Sequence, residues 1–353
     1  MKKYFLIALF LFIAVCYSNA TVITVSASQQ LYKAQYYNLQ EAVTAASADD
    51  TLYVHGSFEG VDCTIDKKLT IIGQGFHSSI PHHKTIINNF NLYGANGTVI
   101  KNCQLNYLNV YANGQSDNVT VKNCRILYYM NVNGNNWNII NNIFYGVNGY
   151  LNINNWANIL VANNLFFTQG TYSIYYSNQS LLVDHNIFFT SACENIQIFI
   201  DVSNAYISNN IFYARSVAGV TLSFFANNIT YNTDVIPYGD NLGENNINAS
   251  DPLFLNAPLV LTDCGWPYWN LWLLNWDWTQ NFHFQAGSPA IDAGSDDTDL
   301  GIYGGSFPWR DNQDGTPDYT GEPLSPQTQF LNLNKTFTGT DGTIQFNSQA
   351  KKK

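Results

Sequence analysis

The chain has 353 residues, 46% of them hydrophobic and only 11% charged, with a formal net charge of −10. Charged residues make up about 25% of ordinary globular domains, so the surface here is unusually neutral, and the acidic balance argues against nucleic acid and, more weakly, against a strongly anionic polymer as a partner. Aromatics reach 15%, and the polar share is carried by asparagine, serine and threonine, which suits strands and turns better than helices.

Residues 1–20 read as a secretory signal peptide. Lys2 and Lys3 form the positive end, Tyr4 to Val15 the apolar stretch, and Ser18-Asn19-Ala20 a small-residue cleavage site. Cys16 offers a rival reading as a lipid-anchored cysteine, but Ile13-Ala14-Val15 before it fits that signal poorly. No later segment is long and apolar enough to span a bilayer. The remaining cysteines, Cys63, Cys103, Cys124, Cys193 and Cys264, form no CxxC pair, so a zinc site is not expected.

Residues 21–66 are expected to hold an N-terminal cap and the first strands. Leu39, Ala42, Val43 and Ala46 share one helical face, and Asp49-Asp50 turns the chain into a strand at 51–54. From residue 67 a repeat takes over. "NNIFY" occurs at 141–145 and again at 209–213, with "NNLFF" at 163–167 and "HNIFF" at 185–189 between them. Aligned on the second polar residue, the column reads Cys103, Cys124, Asn142, Asn164, Asn186, Asn210 and Asn228. Three residues earlier stand Ile100, Val121, Ile139, Val161, Val183, Ile207 and Phe225; two residues later stand Leu105, Ile126, Phe144, Phe166, Phe188, Phe212 and Thr230. A period of about 20 residues with apolar columns means stacked units that cannot bury their faces alone. Lacking a leucine-dominated consensus and a helical half, the repeat predicts an all-β right-handed parallel β-helix over residues 67–310. Both asparagine columns are placed at a corner, where asparagine tolerates a left-handed bend and its amide bonds to the amide one rung away. Cys103 and Cys124 share a column on adjacent rungs about 4.8 Å apart, too far for a relaxed disulfide, and are expected as buried thiols.

Beyond the rungs come "DPLF" at 251–254, a tryptophan-rich excursion "GWPYWNLWLLNWDW" at 265–278, then "SPAIDAG" at 288–294 and "TDLGIYGG" at 298–305. Residues 311–353 are expected to form a β-rich tail. The entry segment and these closing motifs resemble secreted or surface right-handed β-helix proteins of bacteria, in the pectate-lyase-like superfamily. That resemblance covers residues 35–310 and implies the fold, an extracellular or cell-surface location and a link to polysaccharide.

Chemistry is harder to find. Glycosidic cleavage needs acids or bases within hydrogen-bond reach of the scissile bond, yet residues 126–183 contain no Asp, Glu, Lys, Arg or His. The candidate catalytic residues are Asp184, His185 and Arg125, with a corner role for His185 favoured. An outward aromatic row of Tyr145, Phe167, Phe189 and Tyr213 is the candidate ligand-binding face, joined by Trp266, Trp269 and Trp272 of the excursion. "NQDGTPD" at 312–318 resembles a calcium loop, with Asn312, Asp314 and Asp318 as candidate Ca²⁺ ligands, although Arg310 stands where a first ligand belongs. The leading expectation is a monomeric, non-catalytic secreted or cell-surface protein that binds a polysaccharide or surface component; the alternatives are a polysaccharide lyase or glycoside hydrolase, and an adhesin-like spacer.

Overall fold

A computed structural model describes residues 20–319, apart from gaps at 31–32, 78–83, 111–112, 147–148, 155, 169–171, 178, 190–196, 215 and 258–277, together with the strand pair Leu331–Asn332 and Gln349–Ala350. Residues 1–19 of the expected signal peptide, with Cys16, and Cys193, Cys264, Trp266, Trp269 and Trp272 lie outside the described residues.

The protein is an all-β right-handed parallel β-helix. One wall is an 11-stranded parallel sheet running from Val22–Ser26 to Leu242–Glu244. The facing wall belongs to a 13-stranded sheet that opens with four long strands, ending at Arg125–Asn131. There it forks: Arg125–Asn131 pairs with Ile143–Gly146 at its start and with Tyr150–Asn152 at its end. One strand therefore heads two branches. The first branch continues through Leu165–Thr168, Ile187–Phe189, Ile211–Tyr213 and Ile229–Tyr231, the second through Ile174–Ser177, Phe199–Ser203 and Val220–Thr221.

The entrance is closed by the helix Leu39–Ala45, whose N-cap Asn38 accepts a hydrogen bond from the Glu41 amide. Leu39, Ala42 and Val43 turn into the lumen and join the main core. Without such a cap the first rung would leave its apolar end in water.

The register reproduces the repeat columns. Val121 pairs with Ile139, Ile139 with Val161, Val161 with Val183 and Val183 with Ile207. Phe144, Phe166, Phe188 and Phe212 stack in order on the opposite wall, with successive ring centroids 4.5, 4.7 and 5.3 Å apart. Both columns are wholly buried.

The two asparagine columns differ from the single corner role expected of them. The first member of each pair makes the bend: Asn102, Asn123, Asn141, Asn163, His185, Asn209 and Asn227 all have φ between 51 and 59°. The second member turns inward. Asn142, Asn164, Asn186, Asn210 and Asn228, all buried, and the partly exposed Asn246 form a ladder in which each side-chain amide donates to the next carbonyl oxygen at 3.0 Å. That same oxygen also accepts the preceding residue's backbone N–H, as Asn164 Oδ1 does from the Asn142 amide at 2.8 Å. The ladder thus satisfies backbone groups that the corner takes out of the sheets. Cys103 and Cys124 continue the column as buried free thiols, with Cys124 Sγ donating to the Lys122 carbonyl.

Parallel pairing ends at Ile247. Residues 251–257 and 278–319 then fold back along the outside of the first branch, through the antiparallel pair Phe254–Asn256 and Asn281–Phe284.

Candidate binding face

The outward surfaces of the two branches have opposite fates. On the first, Tyr145, Phe167, Phe189 and Tyr213 form the expected row, at centroid spacings of 5.9, 5.6 and 4.7 Å. The row points away from the lumen, but it is not open. Phe254, Phe282, Leu300, Ile302 and Tyr319 pack over it and make a second hydrophobic core. Phe167 is 1% exposed and Phe189 0%. The expectation of an accessible ligand face there is corrected: alternation fixes which side of the sheet a residue leaves by, and a segment distant in sequence decides whether solvent reaches it.

The cover is held by the outer corner column. Asn227 donates to Ala293 O at 3.2 Å, Asn209 to Ser295 Oγ at 3.1 Å, Asn163 to Ile302 O and Gly304 O at 3.1 and 2.7 Å, and Asn141 to Phe307 O at 2.9 Å. The closing motif therefore runs back along the bends, rung by rung. Two of its glycines are forced by close approach. Gly301 has φ 75°, and a Cβ there would lie 2.9 Å from Ile187 and Ile211 side-chain carbons; Gly305, at the same φ, would meet His185 Nδ1 at 2.6 Å.

Asp184 and His185 belong to this clamp. His185 is 1% exposed, with Nδ1 3.1 Å from Asp184 Oδ2, a charge contact poorly aligned for a hydrogen bond, and Nε2 3.6 Å from Asp296 Oδ1 and 3.3 Å from Thr298 Oγ1. Burial disfavours its charge, but Asp184 and Asp296 more than offset this and push its pKa up to about 9. Burial likewise opposes ionisation of Asp184, yet His185, Ser208 and Asn209 hold its carboxyl below the usual range. His185 and Thr298 hold Asp296 well below it. Both carboxylates are occupied, and the imidazole is closed over by the cover, so the pair presents no open acid or base to a glycosidic bond. Arg125 is not brought to it. Its guanidinium lies over the Tyr145 ring at 4.4 Å and near Trp278 at 5.5 Å, at the end of the second core.

At 312–318 the chain makes a hairpin turn. Asp314 Oδ1 accepts from both the backbone N–H and the hydroxyl of Thr316, Asn312 Nδ2 donates to Thr316 Oγ1 and Pro317 O, and Asp318 sits 3.6 Å from Arg310 Nη2. The candidate calcium ligands are engaged in holding the turn. Among the described residues no group of three or more His, Cys, Asp or Glu is placed to hold a metal ion.

Among the described residues no second core covers the second branch, and it carries a feature the sequence reading passed over. Tyr107 pairs with Tyr129 and Tyr129 with Tyr150; Tyr172 and Tyr175 follow, with Tyr150 and Tyr172 centroids 4.7 Å apart and Tyr172 and Tyr175 5.1 Å. A register shift between Leu105 and Tyr107 gives the strand Arg125–Asn131 an extra residue. This bulge turns Tyr128 outward beside Tyr129, where it is 40% exposed and stacks on Tyr107 at 4.8 Å. The next column is amide: Asn91 pairs with Asn109, Asn131 with Asn152, and Asn152 with Tyr175. Asn131 Nδ2 donates to Asn109 Oδ1 at 2.9 Å, and Asn109 Nδ2 to Asn89 Oδ1 at 3.0 Å. Between these columns Leu108, Met130, Leu151 and Ile174 face inward, wholly buried. The signal was present as a second repeat, Tyr107-Leu108-Asn109, Tyr129-Met130-Asn131 and Tyr150-Leu151-Asn152. The four strands bearing this face contain one charged residue, Arg125, which the second core takes up.

No family model matches this chain, and no curated protein does.

Proposed function

We propose that this is an exported, non-catalytic, monomeric surface protein that binds an uncharged glycan through the tyrosine–asparagine face of its second branch. The observation that carries the reading is that face itself, with Tyr107, Tyr128, Tyr129, Tyr150, Tyr172 and Tyr175 in mutual contact beside an amide ladder. Rings that end in a hydroxyl, set among amides and free of charge, complement a chain dense in hydroxyl groups and poor in charge. A uronate polymer would demand basic groups, which the face lacks. Export is supported by the leader-like residues 1–20, and the extracellular setting by the likeness of the closing motif to bacterial β-helix proteins of the pectate-lyase-like superfamily. Among the described residues no helix is long and apolar enough to cross a membrane.

The test is affinity electrophoresis of the purified protein in gels containing β-glucan, mannan, xylan or galactan, with polygalacturonate as the charged contrast. At least one neutral polymer should retard the protein, polygalacturonate should not, and no reducing or unsaturated ends should be released. The double variant Tyr129→Ala/Tyr150→Ala should migrate freely while keeping its circular dichroism. Release of cleavage products, lost on changing Asp184, His185 or Arg125, would overturn the reading in favour of an enzyme. Free migration of the wild type in all four neutral gels would also sink it.

A further inference from the structure

Aromatic residues bind sugars in two chemically different ways. A ring can offer its face to the C–H groups of a pyranose, or it can offer a polar edge that forms hydrogen bonds. The packing of the tyrosine face distinguishes them. Tyr107 and Tyr128 are stacked with their planes 11° apart, and Tyr129 and Tyr150 with theirs 23° apart at 5.6 Å. Tyr107 also meets Tyr129 at 4.9 Å and 60°, and Tyr150 meets Tyr172 at 53°. Each ring therefore has a neighbouring ring against it, and the stacking direction follows the rung-to-rung axis. Rings stacked along that axis stand on edge relative to the sheet. With a neighbouring ring against each, the ring edges and the phenolic hydroxyls are favoured as the groups left for a ligand.

Those hydroxyls are available. Among the described residues, no hydrogen bond within the protein engages the hydroxyls of Tyr107, Tyr128 or Tyr129, and the Tyr150 hydroxyl pairs with that of Tyr172, a pair that keeps one O–H free to donate. Burial and the neighbouring tyrosines push the phenol pKa values of Tyr107 and Tyr172 up, that of Tyr172 to about 12, so both remain O–H groups able to donate as well as accept. Successive rungs repeat about every 4.8 Å, so the hydroxyl row and the amide column beside it form a periodic strip of donors and acceptors along the solenoid.

We infer that the phenolic hydroxyls of this face, with Tyr129 and Tyr150 at its centre, are the recognition groups: the protein reads the hydroxyls of a neutral glycan by hydrogen bonding, and the rings serve as the scaffold that spaces them. The inference rests on the proposed glycan-binding function and names the chemistry by which it would work. It separates the roles of ring and hydroxyl, which a face-on stacking site would not.

The experiment compares Tyr129→Phe/Tyr150→Phe with Tyr129→Ala/Tyr150→Ala and the wild type in the same gels of β-glucan, mannan, xylan and galactan. Phenylalanine keeps the ring ladder and the fold, to be checked by circular dichroism and urea melts, and removes two oxygens, one of them the hydroxyl partner of Tyr172. The Tyr→Phe variant should bind about tenfold or more weakly, because two ligand hydrogen bonds are lost and their sugar partners are left poorly paired. Wild-type retardation should be flat from about pH 5 to about pH 9, since phenols do not ionise in that interval. Full binding by the Tyr→Phe variant, with loss only in the Tyr→Ala variant, would overturn the hydroxyl inference and leave the glycan-binding face standing as a stacking site. Binding by both variants at wild-type strength would place the glycan elsewhere on the protein, removing both readings of this face, and so would the absence of retardation of the wild type in every gel.

Discussion

The strand Arg125–Asn131 carries two aromatic surfaces with opposite histories. Its first residue, Arg125, opens the branch whose row of Tyr145, Phe167, Phe189 and Tyr213 lies under Phe254, Phe282, Leu300, Ile302 and Tyr319. Its later residues, Tyr128 and Tyr129, stand on the branch that stays open. Both surfaces arise from the same alternation of a strand, and both stack aromatic rings from rung to rung. The closed row has phenylalanine at its two fully buried positions, Phe167 and Phe189, and tyrosine at its half-buried ends, and beside it run Ile143, Leu165, Ile187 and Ile211. The open row is entirely tyrosine and is bordered by asparagine. Where the row is fully buried its rings carry no polar ends, which burial would leave unpaired, whereas a ring that ends in a hydroxyl suits a surface in contact with water.

The largest test of this contrast is cavity formation. Phe166→Ala in the lumen and Phe167→Ala on the covered row should each cost about 3–5 kcal/mol in urea unfolding, because both rings are at most 1% exposed. Tyr145→Ala, at the half-buried end of that row, would also lose its stack on Phe167 and its contact with Arg125. A near-neutral Phe167→Ala would mean that the second core is not closed.

A second substitution lifts the cover without touching the aromatic row. Gly301→Ala adds a methyl group at 2.9 Å from Ile187 and Ile211, at a φ of 75°. Overpacking and the left-handed backbone together should cost about 2–4 kcal/mol, and faster hydrogen exchange should be confined to residues 290–309 and the strands beneath them. Equal acceleration on the open branch would show that the two surfaces are not independent.

The rungs were legible in the sequence because a solenoid writes each contact as a column: Val161 has to match Val183 and Ile139, so the pairing is visible without a structure. The inward and outward sense of Phe166 and Phe167 followed from alternation alone. What alternation cannot carry is occupancy. Nothing in Tyr145-to-Tyr213 announces that Phe254, Phe282 and Ile302 will lie over it, since those partners are remote and non-repeating. The division of work in each Asn-Asn pair was equally hidden, because both residues are asparagine and differ only in φ and direction. His185 shows the limit most clearly: a histidine among asparagines suggested catalysis or a corner, and the deciding partner, Asp296, sits 111 positions further along the sequence. The open face, by contrast, was readable as a Tyr-apolar-Asn repeat, masked by the stronger Asn-Asn signal.

The clamp around His185 makes the covered half pH-sensitive in a way the open half is not. The folded pKa of about 9 lies above the unfolded value of about 6.5. Its stabilisation is therefore complete below about pH 6.5 and lost as pH rises through 9. Asp184 and Asp296 are shifted down, so their contribution is present above about pH 4 and lost as pH falls through their folded values. Stability should peak between these limits and fall by on the order of 2–3 kcal/mol on going from about pH 6 to about pH 10. His185→Asn, which restores the residue of the neighbouring rungs at this positive φ, should flatten the alkaline fall. An unchanged alkaline limb in that variant would assign the effect to other groups.

The smallest stability effect belongs to the open face, and it is the sharpest check on the comparison. Tyr128 leaves its strand at a bulge, is 40% exposed and packs on one ring, Tyr107. Truncation there opens no cavity, and the remaining loss is one exposed ring contact of about 0.5–1 kcal/mol. Tyr128→Ala should therefore unfold within about 1 kcal/mol of the wild type, several-fold less than Phe167→Ala, although both remove an outward-facing aromatic ring. Its consequence should appear in binding, as weaker retardation in whichever neutral polysaccharide gel holds the wild type, since the variant exposes one face of Tyr107 and removes the most accessible hydroxyl of the row. A Tyr128→Ala protein that unfolds as readily as Phe167→Ala would mean that the second branch is also covered, and the binding face would have to be sought on another surface of the solenoid.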